Sequence, residues 1–213
     1  MRISKNLPCK CRQNYAIVVD GECEYWYIQM LKRNERFINV NLEPKIPQKK
    51  KITDQYAKVI ELSKEFSMVF WIVDLDVIVR ESRETRKGFK KPIDAFKEFI
   101  KAIESKANIK IIVNNPCLEY WFVLHFQYIS RYFDSCGPVV RMVTKHNDLA
   151  NYEKTKSFYT RQNNDIYLKL KPYLQTAIEN ANKLGPFDIT NPFTGMSQMQ
   201  ILFESEDLQH IID

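Results

Sequence analysis

Phe70-Trp71-Ile72-Val73-Asp74-Leu75-Asp76 is an apolar run that ends in two carboxylates one residue apart. Its composition predicts a buried strand whose charge begins where burial should end. Strand residues i and i+2 share a face, so Asp74 and Asp76 are expected to point together while Leu75 points away. Two carboxylates on one side of a strand end repel each other unless a cation lies between them. Mg²⁺ is usually held by one or two carboxylates, with water and substrate phosphate completing its shell. The plainer reading of an isolated Asp-x-Asp is a solvated pair that opens a loop.

Working outward, Tyr15-Ala16-Ile17-Val18-Val19 is a second short apolar run, closed by Asp20 and Gly21 and followed by a helical pattern over 22–36. Residues 38–43 alternate apolar and polar, which predicts a half-buried strand closed by Pro44 and Pro47. A helix over 52–66 leads into the strand 68–74, and a basic loop is expected after it. Pro92 fits the first turn of the next helix, with Ile93, Phe96, Phe99, Ile100 and Ile103 on one face. Ile109 to Asn114 reads as another strand. Asn115-Pro116 reads as an N-cap and first helical residue, launching a helix over 116–128. Strands alternating with helices predict an α/β domain with a mostly parallel sheet over 13–130. The remainder, 131–213, reads as a helical C-terminal region packed on that core. It holds a short helix over 138–145 and a long one over 160–183 broken at Pro172. Gly185-Pro186 stops that helix, and Ser197 with Gln200 suits a capping box for the last one.

The 213 residues are 45% hydrophobic and 13% aromatic, enough for a sizeable core, and carry a net charge of +6. A basic balance favours a polyanionic partner without requiring one. Lys45 and Lys49 to Lys51 form one basic cluster, and Arg80, Arg83, Arg86, Lys87, Lys90 and Lys91 form another directly after the Asp pair. Arg83, Arg86 and Lys87 are the candidate nucleic-acid contacts. No run suits a membrane span and no leader is evident, and the five cysteines read most simply as reduced thiols in a cytoplasmic protein. Cys9 and Cys11 are too close for an ordinary zinc knuckle.

Three strand ends thus carry polar groups: Asp20-Gly21-Glu22, Asp74-Leu75-Asp76 and Asn114-Asn115. Parallel strands would gather them on one edge, where open α/β sheets bind ligands. Glu119, in the first turn of the following helix, could reach the same edge, although a carboxylate there also suits the helix dipole. His125 shares a helix face with Leu118, Trp121 and Phe122, which favours a buried structural histidine over a general base. Tyr120 and Trp121 read more readily as core than as base-stacking rings.

The strand ending in acid-Gly, followed by a strand ending in Asp-x-Asp, resembles the Toprim domain of topoisomerases, primases and related nucleases. More closely, the chain resembles the RloB-like family of bacterial phage-defence and restriction loci. The matching segments are Ile17-Val-Val-Asp-Gly-Glu-Cys-Glu24 with Tyr27, Trp71-Ile-Val-Asp-Leu-Asp76, and Asn115-Pro-Cys-Leu-Glu-Tyr-Trp-Phe-Val-Leu-His-Phe126. Tyr152-Glu-Lys154 and Asn191-Pro-Phe-Thr194 extend the match. The resemblance implies a Toprim-like fold and a metal-dependent nuclease. Mg²⁺ or Mn²⁺ would be held by Asp20, Asp74 and Asp76, with Asp20, Glu119 and Lys154 in catalytic roles. It also implies a nucleic-acid substrate, an AAA/ABC-type ATPase partner subunit and a homo-oligomer, with no membrane attachment. The chain departs from the family in carrying Asp20 where Glu is usual and Cys23 before Glu24 where Thr is usual. The shorter acid draws its carboxylate back by about 1.5 Å, so either the metal shifts, Glu22 or Glu24 assists, or activity falls. A Toprim-like regulatory subunit without chemistry is therefore the first alternative. A phosphotransferase with Asp74 as nucleophile is the second.

Overall fold

The computed structural model describes residues 13–35, 40–47, 51–205 and 208. Cys9, Cys11, Ile38, Lys49 and Lys50 lie outside these. Among the described residues five strands form one sheet: β1 (Gln13–Val18), β2 (Val40–Lys45), β3 (Met68–Asp74), β4 (Ile109–Asn115) and β5 (Met196–Ser197). Their spatial order is β2-β1-β3-β4-β5, with the first four parallel and β5 antiparallel to β4. The helices are α1 (Glu22–Asn34), α2 (Ile52–Leu62), α3 (Leu75–Glu84), α4 (Pro92–Ile103), α5 (Glu119–Leu124), α6 (Cys136–Val143), α7 (Lys156–Tyr159), α8 (Ile166–Leu170), α9 (Leu174–Leu184) and α10 (Gln200–Phe203). The expected α/β class, a mostly parallel sheet flanked by helices, is what the chain adopts. Among the described residues no helix is long and apolar enough to cross a membrane.

The period of two along each strand divides the core into two layers. Tyr15, Ile17, Phe70, Ile72 and Ile112 face α1, α5, α8 and α9, where Tyr27, Leu31, Trp121, Tyr167 and Ile178 meet them. Ala16, Val18, Val69, Trp71, Val73 and Val113 face α2, α3 and α4, against Val59, Ile78 and Phe96. Two buried indoles find partners in these layers: that of Trp71 donates to Gln55 Oε1 at 2.9 Å, and that of Trp121 to the Tyr27 hydroxyl at 3.1 Å. Residues beyond 131 share the first layer through Val139, Leu149, Tyr159, Leu174 and Phe203.

Several local expectations are corrected. Leu75 begins α3 directly after Asp74, so a helix stands where a basic loop was expected, and the loop shrinks to 85–91. Pro44 lies inside β2, which an edge strand tolerates because the missing N–H need not face a neighbour. Asn115 is the last residue of β4, the Asn115–Pro116 bond is cis, and helix begins only at Glu119. Ser197 pairs in β5 and gives its hydroxyl to Asn114 Oδ1 at 2.7 Å, so it does not cap α10. The long helix breaks at Pro172 as expected but starts only at Ile166, where Asp165 Oδ1 accepts from the Leu168 N–H. Gly185, at φ 77°, ends α9. Cys117 and Cys136 form a disulfide, contrary to the reading of every cysteine as a reduced thiol.

His125 is structural. It is buried, and its Nδ1 lies 2.9 Å from the Trp121 carbonyl oxygen, which can only accept. Burial depresses its pKa from 6.5 to about 3, against a smaller opposing effect of that hydrogen bond. Between those values the unfolded chain takes up a proton that the folded chain refuses, so this contribution to stability rises with pH by about 1.4 kcal/mol per unit. Acidifying from pH 6.5 to 5 should therefore cost about 2 kcal/mol. Urea titrations should show that slope reduced in His125→Gln; identical slopes would remove His125 as its source.

Candidate metal centre

The chain crosses from β2, on one side of β1, to β3 on the other. The carboxyl ends of β1 and β3 therefore flank a topological switch point, the usual ligand crevice of an open α/β sheet. Val18 is level with Trp71, so β3 continues three residues further and brings Asp74 towards the turn that holds Asp20 and Gly21. On the other flank Asp74 is level with Asn114.

Asp20, Glu24 and Asp74 converge at this point, each offering a carboxylate oxygen, all within 4.8 Å of one another. Glu24 arrives from the first turn of α1, and Gly21 is what lets it in. A Cβ on Gly21 would stand 2.5 Å from Glu24 Oε2. The backbone there (φ −135°, ψ 172°) is open to any residue, so the glycine serves close approach and not conformation.

Asp76 is placed differently from the expectation. Asp74 is the last extended residue and Asp76 falls in the first turn of α3, so the two do not share a strand face. Strand geometry ends one residue too early for the i, i+2 argument. Asp76 stands outside the converging trio, and its carboxylate is hydrogen-bonded by the backbone N–H groups of Val77 and Cys136.

The electrostatics are those of anions crowded together. Burial first, then Asp20, raises the Glu24 carboxyl to about 8. Burial, then Glu24, Asp20 and Glu119, hold Asp74 well above the usual carboxylate range. Burial also raises Asp76, although its two N–H partners, Arg80 and Lys154 pull it down. Two charges 4.8 Å apart repel by about 3 kcal/mol at an effective dielectric near 20. A proton or a cation relieves this.

Behind the trio, Glu119 is almost fully buried and its Oε1 holds two partners. Oε1 accepts from the Tyr152 hydroxyl at 2.5 Å and pairs with Lys154 Nζ at 2.8 Å, while Oε2 lies 2.9 Å from Cys136 Sγ. Tyr152 in turn meets the Tyr159 hydroxyl at 2.6 Å. Lys154 also donates to Cys136 Sγ at 3.3 Å. Burial would lower the Lys154 pKa, but the Glu119 carboxylate outweighs it and the ammonium is held above its usual value. This cation acts on Glu24 and Asp76 at the trio's rim.

Of the two asparagines at the end of β4, Asn114 faces the trio, its Nδ2 lying 3.4 Å from Asp74 Oδ1. Asn115 points the other way and donates to the carbonyls of Pro192 and Thr194 at 2.7 and 2.6 Å. Arg83 lies near the end of α3, while Arg86 and Lys87 sit on the exposed turn that follows, away from the carboxylates. Tyr120 and Trp121 are buried in the core. Sequence reasoning names Glu24 only as an assistant, gives Tyr152 no role beyond its place in a matching segment, and misses Tyr159. The available signal was the spacing Gly21-x-x-Glu24, which puts a carboxylate over the helix N-terminus.

The sequence profile of a family described as RloB-like protein matches residues 15–201 of this chain. Neither a curated protein nor a solved structure matches it closely enough to be compared.

Proposed function

The chain belongs to the RloB-like family, and on that footing we propose that Asp20, Glu24 and Asp74 hold Mg²⁺ or Mn²⁺ in a Toprim-like site that cleaves phosphodiester bonds of nucleic acid. The observation that carries this reading is the convergence of three carboxylates at the switch point. An all-oxygen, anionic donor set suits a hard divalent ion. Such an ion polarises a phosphoryl oxygen and lowers the pKa of bound water.

The remaining roles belong to the chain's own groups. Asn114 steadies Asp74 through its amide. Glu119, its Oε1 shared between Tyr152 and Lys154, acts as a positioning residue that holds Lys154 at the rim. Lys154 then offers a fixed positive charge to the negative charge that develops on a phosphate under attack. Asp76, fixed by two backbone N–H groups, borders the site. Glu24 reaches the cluster from one helical turn beyond Asp20, so it can offset the methylene that Asp20 lacks relative to the family's glutamate. A role in phage defence, a cytoplasmic setting, and an ATPase partner rest on the family resemblance.

Titrating the full chain with Mn²⁺ by calorimetry and assaying cleavage of single- and double-stranded DNA and RNA tests the reading. Saturable binding with metal-dependent cleavage supports it, whereas absence of Mn²⁺ binding removes it. Binding without cleavage, with or without the partner ATPase, would favour the regulatory alternative that Asp20 raises.

Gly21→Ala gives a sharper check. The new methyl group would displace the Glu24 carboxylate while the backbone keeps its conformation, so Mn²⁺ affinity should fall by about 10- to 100-fold. The thermal melt of the metal-free protein should not fall. Unchanged affinity would exclude Glu24 as a ligand.

A further inference from the structure

Helix α3 starts at the acidic cluster and leads away from it. Asp76, Arg80 and Arg83 recur at helical spacing on one stripe, placing Arg83 about 10 Å along the axis from Asp76. There α3 walls a groove of about 360 Å³, shared with the start of α4 and the segment 190–193. Arg83, Lys91 and Lys97 supply its charge, Phe193 its aromatic face, and no carboxylate lines it. Arg83 lies 3.6 Å from Asp134, with side chains 59% and 75% exposed, a water-screened pair that contributes little.

Phe193 is 55% exposed and stands edge-on to Tyr132, with ring centroids 5.7 Å apart. Its position is fixed from beneath, because Asn115 binds the carbonyls on either side of it, those of Pro192 and Thr194. The same strand end therefore anchors the ring through Asn115 and faces the carboxylates through Asn114. A large ring held open to solvent beside three cations contributes nothing to the core. It has the composition of a single-strand binding track, in which aromatic faces stack on bases and cations follow phosphates.

We propose that this groove binds single-stranded nucleic acid, Phe193 stacking on a base and Arg83, Lys91 and Lys97 contacting the backbone of the strand that enters the acidic cluster. The proposal deepens the phosphodiesterase reading by naming the substrate class. A paired duplex keeps its base faces stacked internally and offers Phe193 no platform partner.

Fluorescence anisotropy with a labelled oligothymidylate of about twelve nucleotides, in EDTA so that no cleavage occurs, tests it on the full chain. Phe193→Ala should weaken binding about tenfold. The double variant Lys91→Ala/Lys97→Ala should reduce the slope of log K against log salt by about 1.4. Lys183→Ala, on α9, should change neither. The proposal is overturned if the groove variants bind like the parent, if Lys183→Ala weakens binding as much as they do, or if a duplex of equal length binds as tightly as the single strand. These side chains are exposed, so folding is not at stake, and matching thermal melts verify it. Mn²⁺ calorimetry on the same variants separates the two readings. Groove-dependent oligonucleotide binding in a protein that takes up no Mn²⁺ would sink the metal site and leave the groove standing.

Discussion

Asp74→Asn should make the metal-free protein more resistant to heat and at the same time abolish its response to Mn²⁺. Asp74 sits in a cluster whose carboxyl oxygens lie within 4.8 Å of one another, and both burial and its neighbours disfavour its charge. The amide keeps the shape and removes one anion, so repulsion falls for Asp20 and Glu24 as well. In the parent protein, Mn²⁺ at about a hundred times its dissociation constant should stabilise the fold by about 2.7 kcal/mol. For a chain of this size that is a rise in Tm of about 5–10 °C. The variant should show none of that rise and no cleavage. A variant that still gains several degrees with Mn²⁺ would move the ion away from Asp74, and one that unfolds would make the carboxylate structural.

Gly195→Ala should produce the largest loss of stability. A Cβ at this position would lie 2.1 Å from the Arg131 carbonyl oxygen, 2.7 Å from its carbon and 2.6 Å from the Tyr120 hydroxyl. Two of those atoms are backbone and cannot swing aside. The Tyr120 hydroxyl is itself committed, donating to the carbonyls of Ile129 and Arg131 at 2.9 and 3.3 Å. Relief would require the 129–131 segment to part from the approach to β5, with loss of these bonds. A cost of about 3 kcal/mol or more is expected, read as a lower urea midpoint. A loss under about 1 kcal/mol would mean that the two segments separate freely.

What was legible in the chain was whatever repeats. Tyr15 to Val19 and Phe70 to Val73 gave away their strands because both faces are buried, and the helices α1, α2 and α4 showed their apolar stripes. The junctions were less legible. Asp74 is of a type that often caps a helix, but its side chain makes no cap hydrogen bond, and the chain passes from strand to helix with no linker. That single transition moved Asp76 off the face it was expected to share. Pro116 looks like a first helical residue because proline fits there, but Cys117 and Leu118 still pass before α5 begins. The Cys117–Cys136 bond spans 19 residues, and no local pattern reports which distant segments will meet. Glu24 was visible as an acid near an acid. Its closeness depended on how tightly α1 packs onto Gly21, which spacing alone does not disclose.

Pro44 carries a consequence for assembly. Lys45 directs its carbonyl inward, accepting from the Val19 N–H at 3.1 Å, so by the alternation of strand hydrogen bonding Pro44 turns its nitrogen outward. Among the described residues β2 is the edge of the sheet on that side. An incoming strand would therefore meet a missing donor flanked by the Glu43–Lys45 ion pair. Such an edge resists templating by another extended chain. A partner that joins this protein along that side must bring a helix or a loop, and fibril growth by strand addition is discouraged by a single ring closure.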